Sequence, residues 1–78
     1  MLTIRVSTDR YEAFRCGLRQ VDVFVEKVER GEIVRYVEHE DGQDTGRFVD
    51  CRVTCVERIP GGSVAASLEL RGNRSAAA

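Results

Sequence analysis

The chain has 78 residues, of which 42% are apolar and 32% charged, and its formal net charge is −1. That length accommodates one small domain, which buries only about 60% of the surface its unfolded chain exposes. No apolar run approaches the ~20 residues of a membrane helix. Arg5, Asp9 and Arg10 interrupt the N-terminal stretch before it reaches secretory length, so a cytoplasmic protein with no membrane partner is expected.

The charge is unevenly spread. Residues 1–20 carry four arginines against Asp9 and Glu12, a balance of +2. Residues 21–45 carry eight acids against Lys27, Arg30 and Arg35, a balance of −5, and residues 46–78 return to +2. Eleven of the twelve basic residues are arginine; that side chain suits bidentate recognition of carboxylate or phosphate, although GC-rich coding gives the same excess. Cys51 and Cys55 fall four residues apart on one strand, about 13 Å by strand rise and too far for a disulfide. With Cys16 and the single His39 they do not make a metal-ligand set. The cysteines read as reduced, half-buried structural thiols, and neither a metal nor another cofactor is expected.

In chain order, Leu2, Ile4 and Val6 alternate with Thr3 and Arg5, the period of a half-buried strand. Ser7, Thr8 and Asp9 are all N-cap types, and Asp9 with Glu12 has capping-box spacing. Tyr11, Phe14 and Leu18 then recur at helical intervals, and Gly17 allows a left-handed C-terminal cap. A helix of about two to three turns follows, with Arg10, Arg15 and Arg19 on its solvent side.

Alternation returns from Gln20 to Val28, with Val21, Val23 and Val25 on one face and Asp22, Phe24 and Glu26 on the other, polar face. Glu29-Arg30-Gly31-Glu32 reads as a turn, and Ile33, Val34, Tyr36 and Val37 mark a third strand ending near Glu38. The acidic stretch from Glu38 to Asp44 reads as a solvated hairpin loop. The longest strand runs from Arg47 to Ile59, with Val49, Cys51, Val53 and Cys55 alternating with Asp50, Arg52 and Thr54. Its length suits bending around a small barrel. Pro60-Gly61-Gly62-Ser63 forces a turn, after which Val64, Ala66, Leu68 and Leu70 alternate with Ala65, Ser67, Glu69 and Arg71. Residues 1–72 form the expected domain, and residues 73–78 a frayed tail.

The order β-α-β-β-β-β defines an α+β fold: a small, five-stranded, mainly antiparallel barrel with one helix plugging an end. Three short patterns in this order resemble the ASCH branch of the PUA-like barrels. The family's Gly-x-Lys-x-x-Glu-x-Arg pattern falls on Gly17, Arg19, Asp22 and Phe24, with the last arginine absent. A Gly-Asp turn leading to an apolar strand that ends in glutamate is similar to the run from Gly31 to Glu38. A Thr-Gly-Arg hairpin with a Val-Thr strand is similar to Thr45-Gly46-Arg47 and Val53-Thr54. The resemblance covers residues 2–58 and points to a small phage and bacterial ASCH/PUA-like family.

Some members of that branch hydrolyse acetylated cytidine with a lysine, a threonine and a glutamate. Here Arg19 stands at the lysine position, and its guanidinium stays protonated and cannot act as a base. Gln20 or Val21 stands where a hydroxyl is wanted, and Glu38 alone matches the acid. A vestigial amidohydrolase is thus a third reading, no catalytic residue is assigned, and the chain is expected not to be an enzyme. There is no Gly-x-Ser-x-Gly and no phosphate-binding glycine loop. The spacing of Glu38, Glu40, Asp41 and Asp44 is not that of a Ca²⁺ loop.

Two binding readings remain. In the first, an acidic face of Asp22, Glu26, Glu29, Glu32, Glu38, Glu40, Asp41 and Asp44 takes the place of nucleic-acid phosphates in the channel of a basic nucleic-acid-handling complex. The resemblance to a phage-associated family implies a mimic of the anti-CRISPR type. In the second, a PUA-like module binds RNA, with Arg10, Arg15 and Arg19 on phosphates and Phe24 or Tyr36 stacking a base. A pI near 5.8 argues against general attraction for a polyanion, which favours the first.

Overall fold

The computed structural model describes residues 1–17 and 21–73. Its elements are β1 (Leu2–Val6), α1 (Thr8–Arg15), β2 (Val21–Phe24), β3 (Ile33–Glu40), β4 (Gln43–Arg58) and β5 (Val64–Asn73). They follow the expected order. The five strands form one sheet in the order β1-β3-β4-β5-β2, with β1 parallel to β3 and every other pair antiparallel. The sheet curls into a half-barrel with β1 and β2 at its borders.

The helix starts two residues earlier than the Asp9–Glu12 capping-box spacing suggests. Ser7, with extended backbone, is the N-cap, and its hydroxyl accepts from the Arg10 N–H at 3.4 Å. Asp9 lies inside the first turn, where a carboxylate complements the positive end of the helix. At the other end Gly17 adopts a φ of 71° and donates to the Phe14 carbonyl, the left-handed cap its position predicts. Tyr11 and Phe14 are buried against the sheet's inner face, where the Phe14 ring stacks on Tyr36 with centroids 3.9 Å apart. Leu18, the third expected anchor, lies outside the described residues, as do Arg19 and Gln20.

The inner face carries Val34, Tyr36, Val49, Cys51, Val53, Ala66 and Leu68, all buried. Three features depart from the alternation read along the chain. In β2 the phase is reversed: Phe24 is buried and Asp22 half-buried, whereas Val21 and Val23 face outward. The reason is a polar demand on the inner face. The buried Tyr36 hydroxyl donates to Asp22 at 2.8 Å, and Phe24 removes more apolar surface from water than a valine. In β4 an extra residue between Val53 and Cys55 shifts the register. Cys55 is thereby exposed and Val56 packs on the core, so the half-buried thiol expected there is corrected. Cys16 is exposed as well, while burial of Cys51 pushes its thiol up to about 11.

The third departure is the acidic stretch. It is not a loop: β3 continues to Glu40, and only Asp41 and Gly42 turn the chain before β4 begins at Gln43. Both turn residues have positive φ, 51° and 80°, the geometry that an Asp-Gly hairpin supplies with a twist matched to its strands. β5 reaches Asn73, one residue beyond the expected end, and residues 74–78 lie outside the described residues.

Candidate functional site

Glu38 is the most heavily engaged carboxylate among the described residues. It lies on the inner face of β3, only 3% exposed. Opposite it the β3–β4 register shifts: Val37 faces Phe48 and His39 faces Asp44, so Thr45, Gly46 and Arg47 together stand against Glu38. Gly46 makes this possible with a φ of 94°, a conformation costly for residues with a Cβ. The result brings two side chains of β4 onto one carboxylate.

Arg47 donates from Nε to Oε1 at 2.8 Å and from a terminal nitrogen to Oε2 at 2.9 Å, a bidentate pair. The Thr45 hydroxyl donates to Oε1 at 2.5 Å, and the Thr8 hydroxyl, from the first turn of α1, donates to Oε2 at 2.7 Å. Four donors fill the carboxylate's accepting directions. These bonds, that of Arg47 first, hold the Glu38 carboxyl down at about 2. Arg47 also approaches Glu12 at 3.5 Å and lies over the Tyr11 ring, 4.8 Å from its centroid. The Tyr11 hydroxyl beneath it is buried with no hydrogen-bond partner among the described residues. Chemically, a carboxylate this well solvated by donors is a poor base, and its arginine partner is held more firmly protonated by the same pairing.

The rest of the predicted acidic face divides into tied and free members. Asp22 accepts from Tyr36 and bridges to Arg10 at 3.2 Å. Glu40 accepts the Thr8 N–H at 2.9 Å, and bonding to Thr8, through its side chain first and its backbone second, lowers the Glu40 pKa. Asp44 is held low by His39 and Arg5, with contacts of 2.8 and 3.0 Å. Glu29 meets Lys27 at 3.4 Å on an open surface. Glu26, Glu32 and Asp41 meet no cationic side chain among the described residues, and Glu32 accepts the Glu29 N–H at 3.2 Å. Glu29 and Glu32 lie just before β3, Glu26 lies by the β4–β5 turn near Arg58 and Val64, and Asp41 lies past the end of β3. By strand rise Glu32 and Asp41 are roughly 30 Å apart, so the acids do not form one ridge.

The described members of the alternative RNA-contacting set have partners within the fold, and Arg19 lies outside the described residues. Arg10 bridges to Asp22 and Arg15 to Glu12 at 2.6 Å. Phe24 and Tyr36 are buried, and Tyr36 already stacks on Phe14, so neither ring presents a face to a base. Thr8, Thr45, Arg47 and Glu12 were not singled out from sequence as site residues. The available signal was the pairing of a strand-ending glutamate with a Thr-Gly-Arg hairpin, two motifs that the bulge makes neighbours.

Among the described residues no group of three His, Cys, Asp or Glu side chains is placed to hold a metal ion, and no helix is long and apolar enough to cross a membrane. No family model matches the chain, and no curated protein is similar to it.

Proposed function

We propose that this chain is a non-catalytic binding domain of the PUA-like (ASCH) type, whose free carboxylates engage a basic nucleic-acid-handling complex in place of nucleic acid. One observation carries the choice over RNA binding. Arg10 and Arg15 are each paired with a carboxylate of the fold, while Glu26, Glu32 and Asp41 are left without a cationic partner among the described residues. The PUA-like assignment is supported by the element order and by the Thr45-Gly46-Arg47 hairpin closing over Glu38. The non-catalytic reading rests on the four donors that occupy the Glu38 carboxylate.

A competition assay tests this. The chain is titrated against basic nucleic-acid-binding complexes, RNA-guided nucleases among them, each preloaded with a labelled DNA duplex. Displacement that weakens with salt is expected. The triple change Glu26→Lys, Glu32→Lys, Asp41→Lys should slow association, and Arg10→Gln with Arg15→Gln should leave it unchanged. If the arginine pair instead abolishes binding to single-stranded RNA, and the acidic changes affect no partner, RNA binding is the function.

A further inference from the structure

A recess of about 400 Å³ lies where the segment that follows β2 passes the β4–β5 turn. Val25, Ile59 and Val64 give it apolar walls, and Glu26, Lys27, Arg58 and Ser63 supply its polar groups. Both walls are tethered. Phe24 and Val28, 4 and 3% exposed, sink into the core on either side of Val25, Glu26 and Lys27. In the turn, the Ile59 N–H donates to the Ser63 carbonyl at 3.0 Å and the Gly62 N–H to the Ile59 carbonyl at 3.3 Å. A preformed recess with apolar walls and a few polar groups is the usual form of a small-molecule site.

The charges of the recess decide what it can hold. Glu26 and Arg58 both line it, yet neither makes an ion pair among the described residues, with the other or with any third group. Lys27 is engaged by Glu29 at 3.4 Å. A ligand that is only an anion would meet Glu26, and one that is only a cation would meet Arg58. A molecule carrying both signs satisfies both. We infer that this recess binds a free aliphatic amino acid, its carboxylate on the Arg58 guanidinium, its ammonium on the Glu26 carboxylate and its side chain against Val25, Ile59 and Val64. The guanidinium fork suits a carboxylate, and the Ser63 hydroxyl is a further donor in the lining. Glu26 and Arg58 are exposed, so the binding is weak, with a Kd of about 1 mM. The inference is independent of the proposed function, because Arg58 is not among its carboxylates and Glu32 and Asp41 lie outside the recess.

Titration of L-leucine into the isotopically labelled full chain, to about 20 mM, tests the site through amide chemical shifts. The amides of Glu26, Arg58, Ser63 and Val64 should move together and saturate. Isocaproate, which is leucine without its ammonium group, and isopentylamine, which is leucine without its carboxylate, should each bind about tenfold more weakly or worse. Arg58→Gln and Glu26→Gln should each weaken leucine by a similar factor with an unchanged circular dichroism spectrum, and Glu32→Gln should not weaken it. Arg58→Gln should also leave the displacement of nucleic acid intact, so the two readings fail separately. The absence of a saturable shift overturns the proposal. Leucine binding that isocaproate or isopentylamine equals, or that survives Arg58→Gln, overturns it too.

Discussion

Arg47 meets Glu38 edge-on across the β3–β4 pair, one nitrogen to each carboxylate oxygen. Because the folded-state pKa of Glu38 falls from 4.5 to about 2, the stabilisation is complete above about pH 4.5 and is lost as the pH drops toward 2. Glu40 and Asp44, also lowered, act in the same sense. Urea midpoints should therefore fall through that window, and Glu38→Gln should flatten the fall. A wild-type profile with no loss between pH 4.5 and 2 would contradict the cage.

Phe14 fills the space between the helix and Tyr36, so Phe14→Ala should cost about 3 to 5 kcal/mol in chemical denaturation. A change below about 1 kcal/mol would mean that the helix docks by another face.

Tyr36→Phe keeps that stack and removes only the hydroxyl that Asp22 accepts. Burial first, and then this bond to Asp22, hold the Tyr36 phenol protonated. The expected loss is about 1 to 2 kcal/mol, softened because Arg10 remains on the carboxylate. Chemical shifts of Val21 and Val23 should move with the variant, since Asp22 sets the phase of the strand between them.

Purified protein should not release acetate from acetylated cytidine, and Glu38→Gln should leave that baseline where it was. Turnover that disappears in Glu38→Gln would restore the hydrolase reading.

The parts legible in the sequence were those where a single pattern decides the outcome. The order of elements, the Pro60–Ser63 turn, the Gly17 cap and the inner positions of β5 follow from turn chemistry and unambiguous alternation. The phase of β2 was not legible, because its two faces hold two valines or an aspartate with a phenylalanine. Only the distant Tyr36 hydroxyl decides between them. Cys55 turned outward for a similar reason, since nothing in Val53-Thr54-Cys55 announces the extra residue that shifts the register. Asp41-Gly42 did carry a hairpin signal, but the surrounding acids suggested solvent, and the bonds that absorb them come from Thr8, Arg5 and Arg47. Glu38 was visible as a strand-ending acid. Its partners were not, because they converge from the helix start and from a bulge.

The bridge between Arg5 and Asp44 sets a limit on how far this sheet can grow. A sheet with two receptive borders adds copies without end and becomes a fibre. Here one border is stoppered by an arginine that is largely solvated, and at the other the Val23 N–H is already taken by the Asp22 carboxylate at 2.8 Å. Each border of the five-stranded sheet thus carries its own obstacle to a further strand.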